Sequence, residues 1–186
     1  MMEIFESNIP GCYEVICNRF EDERGSFVKT FHKPTFEELG LHTEFVEEYY
    51  SVSKKNVIRG MHFQTPPEDH VKLVYCTSGH VMDVVVDLRK GSPTYGEHAI
   101  FDLDAEKHNM VYIPKGMAHG FCVLSEQATM VYKVSTVYAS EYDQGIRWDS
   151  VGVDWKVNSP VVSERDQALP ALRQFASPFV FKRESV

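Results

Sequence analysis

Polar, titratable residues interrupt several stretches of this sequence that otherwise resemble buried β-strands. One stretch reads Ile58-Arg59-Gly60-Met61-His62-Phe63-Gln64, and Lys72 follows ten residues after His62. Two further stretches, residues 113–121 and 130–134, carry His119 and Tyr132. Because a buried strand normally places valine or leucine at such positions, the pattern predicts a polar site built on strands.

These residue types suit proton transfer next to a carbonyl group. A histidine, with a pKa of about 6.5, can remove a proton at neutral pH when an adjacent ketone makes that proton acidic. A lysine such as Lys72 can stabilise the enolate that develops, and a tyrosine such as Tyr132 can return a proton to the opposite face. A lone strand histidine is more often a hydrogen-bonded core residue, but three separate polar stretches favour a site. The set predicts an epimerase or isomerase acting on an anionic substrate.

The histidines also suggest a metal site. Residues 114–119 resemble the second motif of the cupin jelly roll, whose histidine is often a metal ligand. The first cupin motif has two histidines separated by one residue and then a glutamate, whereas here no second histidine follows His62 until His70. A divalent ion needs three or four ligands. We therefore expect the cupin scaffold without its metal, and no cofactor.

Length and charge limit the possible classes of protein. The 186 residues suit one domain, residues 1–186, with a good core. The formal net charge of -8 and the lack of a long basic run argue against nucleic acid as a partner. The N-terminus lacks the basic start and apolar segment of a signal peptide, and no apolar run approaches the length of a membrane span. We expect a cytoplasmic protein with no membrane partner.

The four cysteines show no pattern of a disulfide framework. Cys12, Cys17, Cys76 and Cys122 form no CxxC pair, and the last two lie in strand-like runs. A thiol in such a run behaves as a small hydrophobic group. We expect reduced core cysteines rather than disulfides.

Short strand-like runs separated by turn signals recur along most of the chain. The strongest, residues 80–87, is rich in β-branched residues and follows a Ser78-Gly79 turn. The others cover residues 12–17, 26–31, 44–52, 56–63, 71–76, 98–103, 110–113, 119–124 and 129–137. Many short strands at this spacing predict an all-β sandwich, jelly roll or barrel.

Helical signals are brief. Residues 33–40 have a proline near their start and a glycine at their end, which predicts a short helix, and residues 140–146 form a second candidate. From Ser159 onward the sequence is less regular, and we expect coil and short helix packed over the sheet edge. The run Ser163-Glu164-Arg165-Asp166 is typical of a solvated cap before a helix.

The motifs together resemble one known family. In chain order they are residues 20–27, residues 59–64, residues 72–74, residues 84–89, residues 92–96, residues 113–121, Tyr132-Lys133 and residues 163–166. By these motifs, which span nearly the whole chain, the sequence is similar to the dTDP-4-dehydrorhamnose 3,5-epimerase family. The resemblance implies an all-β fold, a metal-free cupin-type jelly roll with short peripheral helices, that is usually a homodimer. It also implies epimerisation at C3 and/or C5 of a nucleotide-diphospho-4-keto-6-deoxy sugar in deoxysugar biosynthesis.

The resemblance implies roles for individual residues. His62 corresponds to the base that removes the C3 or C5 proton, and Asp166 to the carboxylate that orients and charges it, which replaces the cap interpretation of Asp166. Tyr132 corresponds to the acid that reprotonates the other face, and Lys72 to the group that stabilises the enolate oxygen. The substrate-binding residues would be His119, Asp83 and Ser51 in the sugar pocket, Arg59 and Arg24 at the diphosphate, and Tyr138 and Phe27 beside the nucleotide base.

Three positions depart from the family pattern where relatives contact the nucleotide base. Lys29 stands where the family typically has glutamate, Glu47 where it has glutamine, and Tyr49 where it has asparagine. The first two exchanges favour cytosine over thymine, because cytosine has an accepting ring nitrogen and a donating amine. The alternative is that Lys29 and Glu47 pair with each other, leaving the base to be selected by stacking on Phe27, Tyr49 or Tyr138.

Other functions remain open at this point. A monofunctional 3- or 5-epimerase or a ketoisomerase would use the same base and acid, so the motifs do not decide which carbon inverts. A non-catalytic sugar-nucleotide-binding cupin is the alternative from another class. The retained His62, Tyr132 and Asp166 argue against it, since a binding protein needs neither a base nor an acid.

Overall fold

The computed structural model of the protein describes residues 2–182, and most regular structure in it is β-strand. The described strands, in chain order, are β1 (Glu3–Glu6), β2 (Tyr13–Ile16), β3 (Arg19–Asp22), β4 (Gly25–Val28), β5 (Glu47–Lys54), β6 (Ile58–Gln64), β7 (Lys72–Ser78), β8 (His80–Asp87), β9 (His98–Asp104), β10 (Asn109–Ile113), β11 (Met117–Val123), β12 (Gln127–Val134) and β13 (Asp143–Gly145). Two short α-helices, α1 (Lys33–Glu38) and α2 (Glu164–Gln167), accompany 3-10 helices at Trp148–Ser150 and Leu172–Gln174. The predicted all-β class with short peripheral helices is confirmed.

Two antiparallel sheets face each other and form a jelly roll. The larger sheet has the strand order β1-β2-β10-β7-β12-β5, and the smaller has the order β13-β6-β11-β8-β9. Strands alternate between the sheets from β5 to β8 and again from β9 to β13, as the connections of a jelly roll require. The β3-β4 hairpin belongs to neither sheet. The cupin-type jelly roll expected from the motifs is therefore the observed fold.

Strand β8 shows how the sequence specifies the layers. Val81 and Val85 pack in the core between the two sheets. Val84 and Val86 point the other way and pack in a second core, which the C-terminal segment, residues 146–182, covers on the outer face of the smaller sheet. Because both faces of the strand are buried, its sequence is a nearly continuous run of β-branched residues.

Two predictions about the less regular parts of the chain are wrong. Residues 140–146 do not form a helix, since Asp143–Gly145 pairs with β6 as strand β13. The gain of ladder hydrogen bonds at the free edge of β6 outweighs the weak helical pattern of this stretch. The C-terminal segment covers the face of the smaller sheet rather than the sheet edge, because its apolar residues bury themselves against β6, β8 and β11.

The cysteine side chains lie in the interior of the fold. All four cysteines are free and buried, which confirms the prediction of core thiols. Burial raises the pKa of Cys17 and of Cys76 to about 11, so both remain protonated thiols. Among residues 2–182, no helix has the length and apolar character needed to cross a membrane.

Candidate active site

A cavity of about 330 Å³ opens between the two sheets. Strands β5, β6, β7 and β12 contribute residues that face inward, while β13 and α2 contribute one residue each. The lining consists of Glu47, Tyr49, His62, Phe63, Gln64, His70, Lys72, Val134, Tyr138, Asp143 and Arg165. The cavity is thus rich in titratable groups, as the polar strand residues of the sequence predicted.

His62 and Asp166 form a hydrogen-bonded pair in the wall of this cavity. Nε2 of His62 lies 2.7 Å from Oδ1 of Asp166, and Oδ2 of Asp166 accepts a 3.1 Å hydrogen bond from the Gly60 N–H. Burial alone would raise the pKa of Asp166, but the hydrogen bond and charge of His62, together with the Gly60 N–H, hold that pKa below its ordinary value. Asp166 therefore stays ionised and orients the His62 ring, which leaves Nδ1 as the nitrogen available to a substrate.

Helix α2 places Asp166 beside His62. Oγ of Ser163, the N-cap residue, accepts a 3.1 Å hydrogen bond from the Asp166 N–H, which fixes the first turn of the helix. The cap interpretation of this run is therefore correct for Ser163. It is wrong for Asp166, whose side chain contacts His62 and is only 5% exposed.

Gly60 allows β6 to approach β11 closely beside the pair. Its φ angle is +139°, and a Cβ atom at this position would lie 2.6 Å from Cα of Gly120. Any side chain here would force the two strands apart and displace the N–H that Asp166 accepts. A glycine at this position is therefore a condition for the observed His62–Asp166 geometry.

Lys72 places a buried cation next to His62. Its Nζ donates a 3.2 Å hydrogen bond to the main-chain oxygen of His62. Burial lowers the pKa of Lys72 to about 8, an effect that the charges of Asp143 and Asp83 partly oppose. The side chain is thus mostly charged at neutral pH yet poorly hydrated, a state in which it can strongly stabilise an oxyanion.

Tyr132 belongs to the larger sheet, across from His62 in the smaller one. Its hydroxyl lies 3.1 Å from Oγ of Ser51. Its ring stacks on that of Tyr49, with centroids 4.8 Å apart, and meets the edge of His119. Burial raises the pKa of Tyr132, so the phenol keeps its proton at neutral pH.

His119 and Asp83 form a second, more deeply buried pair. Nε2 of His119 lies 2.7 Å from Oδ2 of Asp83, and both side chains are buried. The β6–β11 ladder places His119 opposite His62. Burial raises the pKa of Asp83. The pair packs behind Tyr132 and supports that side of the site.

Comparison with known proteins gives this geometry a family context. The sequence profile of the dTDP-4-dehydrorhamnose 3,5-epimerase family matches residues 6–174. The chain belongs to this family. A dTDP-4-dehydrorhamnose 3,5-epimerase from Shigella flexneri is 42% identical over 168 residues, which cover 89% of this chain and 93% of the relative. As a member of the dTDP-4-dehydrorhamnose 3,5-epimerase family, the protein is an isomerase of the epimerase type.

Solved structures agree with this assignment. The crystal structure of dTDP-6-deoxy-D-glucose-3,5-epimerase from Legionella pneumophila in complex with dTDP-4-keto-L-rhamnose has a TM-score of 0.93 and 34% identity, covering 98% of this chain and 100% of that chain. The structure of a 3'-monoepimerase from Streptomyces bikiniensis in complex with dTDP-quinovose has a TM-score of 0.85 and 30% identity, covering 89% and 86%. Epimerases named for one carbon and for two thus share this fold.

The structure gathers most residues that the family resemblance singled out. His62, Lys72, Glu47, Tyr49 and Tyr138 line the cavity. Asp166 contacts His62 directly. Behind the lining lie Tyr132, Ser51, His119 and Asp83, linked by the contacts described above. Arg59 is exposed and does not line the cavity; its Nε donates a 2.8 Å hydrogen bond to Oγ of Ser53.

Three predicted substrate ligands do not reach the cavity of their own chain. Arg24, Phe27 and Lys29 lie on or just after the β3-β4 hairpin, which is outside both sheets and exposed to solvent. The Arg24 guanidinium is bound to Asp22 instead, at 2.5 Å. Phe27 is 61% exposed. Within one chain these three residues therefore lie away from the cavity, and their roles toward the substrate stay predictions.

Glu47 also departs from one expectation. Its Oε2 accepts a 2.8 Å hydrogen bond from the Tyr138 N–H. Lys29 is exposed, and none of the ion pairs between described residues joins it to Glu47. The predicted alternative in which these two residues neutralise each other is therefore not the observed arrangement.

Besides the apolar Phe63 and Val134, four polar lining residues were not predicted as part of the site. Gln64 and His70 could have been found, because they lie two residues from His62 and Lys72 and so share their inward face. Nothing local indicated the other two. Asp143 accepts a 2.7 Å hydrogen bond from Arg165, and both reach the cavity only because β13 pairs with β6 and α2 docks beside it.

Within residues 2–182, no group of three or more His, Cys, Asp and Glu side chains is arranged so that it could hold a metal ion. His62 and His119, the two histidines of the cupin-like motifs, are each bound to a different carboxylate.

Proposed function

We propose that the protein epimerises a nucleotide-diphospho-4-keto-6-deoxy sugar, with His62 as the base, Lys72 as the enolate-stabilising cation and Tyr132 as the acid. The observation that carries the proposal is the 2.7 Å His62–Asp166 pair, which lies on the same cavity as Lys72. The names of the relatives and the sugar nucleotides bound in their structures support the substrate class.

The reaction divides into two proton transfers. First, Nδ1 of His62 takes the proton from a carbon next to the C4 ketone, and the electron pair of the broken C–H bond moves to form an enolate. The ionised Asp166 stabilises the imidazolium, and Lys72 stabilises the enolate oxygen. Next, the Tyr132 hydroxyl gives a proton to the same carbon and the ketone re-forms. Exchange with water restores both side chains.

Inversion follows from the placement of the two groups on opposite sheets. His62 lies on β6 of the smaller sheet, and Tyr132 lies on β12 of the larger. A proton that leaves toward one sheet and returns from the other inverts the carbon between them. One such pair can serve C3, C5 or both, and relatives of both kinds share the fold.

Proton NMR in heavy water tests this function. Incubation with a 4-keto-6-deoxy sugar nucleotide should place deuterium at C3, C5 or both and should yield inverted product. A ketoisomerase would instead move the ketone along the ring. The His62→Ala variant should bind substrate but lose exchange at every epimerised carbon, because His70, the other histidine of the lining, contacts Gln64 and Thr136 rather than a carboxylate. Exchange at the wild-type rate in that variant would exclude His62 as the base.

We further propose that the protein acts as a homodimer whose β3-β4 hairpins reach the partner's cavity. Arg24 and Phe27 are exposed and lie away from their own cavity, and an arginine and an aromatic ring suit a diphosphate and a nucleotide base. Arg59 would bind the diphosphate from within the same chain. Mixing inactive Arg24→Ala and His62→Ala chains should restore activity, since hybrid dimers would contain one intact site. A hybrid dimer without activity would contradict this arrangement.

The nucleotide has two candidates. The names of the relatives favour thymidine. The alternative, cytidine, is favoured by Glu47, a carboxylate acceptor that lines the cavity where the family has glutamine, together with the donor Lys29. An unmatched buried polar edge costs about 1–3 kcal/mol per group, so the wrong base should bind at least tenfold more weakly. Calorimetric titration with CDP and dTDP decides between them, and tenfold preference for dTDP would eliminate cytidine.

A further inference from the structure

Tyr49 makes a contact with Tyr132 that bears on the second proton transfer. The two residues lie directly opposite each other in the β5–β12 ladder. Their rings are stacked, with centroids 4.8 Å apart and planes inclined by 18°. Ser51, two residues further along the same face of β5, lies 3.1 Å from the Tyr132 hydroxyl. One strand therefore holds both the ring and the hydroxyl of Tyr132.

We propose that Tyr49 is a positioning residue that holds Tyr132 in the orientation needed to return the proton. This inference rests on the proposed role of Tyr132 as the acid. Tyr49 covers one face of the Tyr132 ring, while His119 meets that ring edge-on at 6.1 Å. Without the Tyr49 ring, that face of Tyr132 loses its packing partner, and the Ser51 hydroxyl and the His119 edge alone would hold the phenol relative to the enolate carbon.

The working part of Tyr49 is its ring rather than its hydroxyl. Partial burial raises the pKa of Tyr49 to about 12, and the carboxylates of Glu47 and Asp143 add to the effect. Burial raises the pKa of Tyr132 as well, so acidity does not distinguish the two phenols, and the contact geometry assigns their roles. The ring, in contrast, lines the cavity and makes the stacking contact.

The consequence is specific to one half of the reaction. Removal of the substrate proton is the task of His62 on the other sheet, and it does not depend on where the Tyr132 hydroxyl lies. Formation of inverted product does depend on it. Loss of the Tyr49 ring should therefore lower product formation relative to hydrogen exchange, whereas a general loss of structure would lower both together.

This dependence is a feature of the present chain. The family pattern to which this sequence is similar has asparagine at the position of Tyr49, and asparagine has no ring to stack on Tyr132. In this chain, the cross-strand stacking of Tyr49 on Tyr132 thus helps to orient the residue that returns the proton. An aromatic pair of this kind contributes more stability than its buried area alone would give.

The test compares ring removal with hydroxyl removal. Proton NMR in heavy water would measure the initial rates of deuterium incorporation and of inverted product formation with a 4-keto-6-deoxy sugar nucleotide. The variants are Tyr49→Val, which removes the ring but suits a strand, and Tyr49→Phe, which keeps the ring. Tyr50→Val is the matched control, because Tyr50 is the next residue of β5, faces the other way and is 70% exposed. Both rates come from the same folded molecules, so their ratio does not depend on the folded fraction.

We expect Tyr49→Val to lower the ratio of product to exchange by about three- to tenfold, the range that an aromatic pair supports. Tyr49→Phe and Tyr50→Val should keep the wild-type ratio within about twofold. An unchanged ratio in Tyr49→Val would overturn the inference, as would an equal loss in Tyr49→Phe, which would assign the effect to the hydroxyl. Wild-type protein that exchanges no deuterium would instead overturn the proposed function itself.

Discussion

Replacing Lys72 with methionine tests whether the buried charge of Lys72 lowers the stability of the folded protein. Lys72 is 6% exposed, and burial lowers its pKa from 10.5 to about 8. The unfolded chain therefore binds this proton more tightly than the folded chain. The difference between the two pKa values corresponds to roughly 3 kcal/mol of destabilisation at neutral pH, as an order of magnitude.

The pH dependence has a definite sign. The destabilisation is fully present below the folded pKa of about 8, where Lys72 is charged in both states, and it disappears above the unfolded pKa of 10.5. Through this residue alone, the stability of the wild type should rise by about 2 kcal/mol between about pH 7.5 and about pH 9.5. Lys72→Met lacks this rise.

The variant also loses a hydrogen bond. The main-chain oxygen of His62 would lose its 3.2 Å donor, at a cost of about 1–3 kcal/mol. We therefore expect Lys72→Met to match the wild type or exceed its free energy of unfolding by up to about 2 kcal/mol at about pH 7.5. By about pH 9.5, the free energy of unfolding of Lys72→Met relative to the wild type should have fallen by about 2 kcal/mol. Epimerisation should be lost at both pH values, because the enolate has no cation.

Urea unfolding at the two pH values measures this difference. Lys54→Met is the matched control, because Lys54 lies exposed on β5 and its removal changes no buried charge. The reasoning is refuted if the difference in unfolding free energy between Lys72→Met and the wild type stays constant over this pH range. It is equally refuted if Lys54→Met shows the same pH dependence as Lys72→Met.

Three further predictions concern the proposed reaction. Tyr132→Phe should retain deuterium exchange but lose inverted product, since deprotonation does not need the acid; an equal loss of both in the NMR assay would contradict this division. Asp166→Asn should slow exchange by about 100-fold or more, because a neutral amide neither stabilises the imidazolium nor fixes the tautomer of His62; initial exchange rates near those of the wild type would show that the carboxylate is dispensable. Exhaustive chelation should leave the epimerisation rate unchanged, since His62 lacks the neighbouring ligands of a metal site; activity that disappears and returns with a divalent ion would reverse this view.

Local sequence patterns could predict the strands that have a buried face. The β-branched run of β8 is recognisable because tertiary packing and strand propensity favour the same residues. Strand β3 is exposed along its whole length and so has no apolar alternation to detect. Strand β13 has three residues, and it is a strand only because the edge of β6 pairs with it. Such elements depend on the assembled fold rather than on local pattern.

The candidate site divides in the same way. His62 and Lys72 could be identified because a polar residue in an apolar strand is a local signal. Asp166 is 104 residues from His62, and its local context is a helix cap, so only the family resemblance indicated its place. Arg24 and Phe27 lie away from the cavity of their own chain for another physical reason if the proposed dimer forms. Motifs identify which residues serve a site, but they do not say which copy of the chain supplies them.

Asp166 belongs to the C-terminal segment, so the His62–Asp166 pair forms only when that segment is docked on the smaller sheet. The two sheets bury a shared core that does not include this segment, whereas the segment packs on the outer face of the smaller sheet. Transient opening of that outer layer would separate Asp166 from His62 while the inner core stayed closed. Mild denaturant should then abolish deuterium exchange into substrate before it exposes the amides of β8 to hydrogen exchange. Because Arg165 of the same segment lines the cavity, the outer layer completes the wall of the site as well as the His62–Asp166 pair.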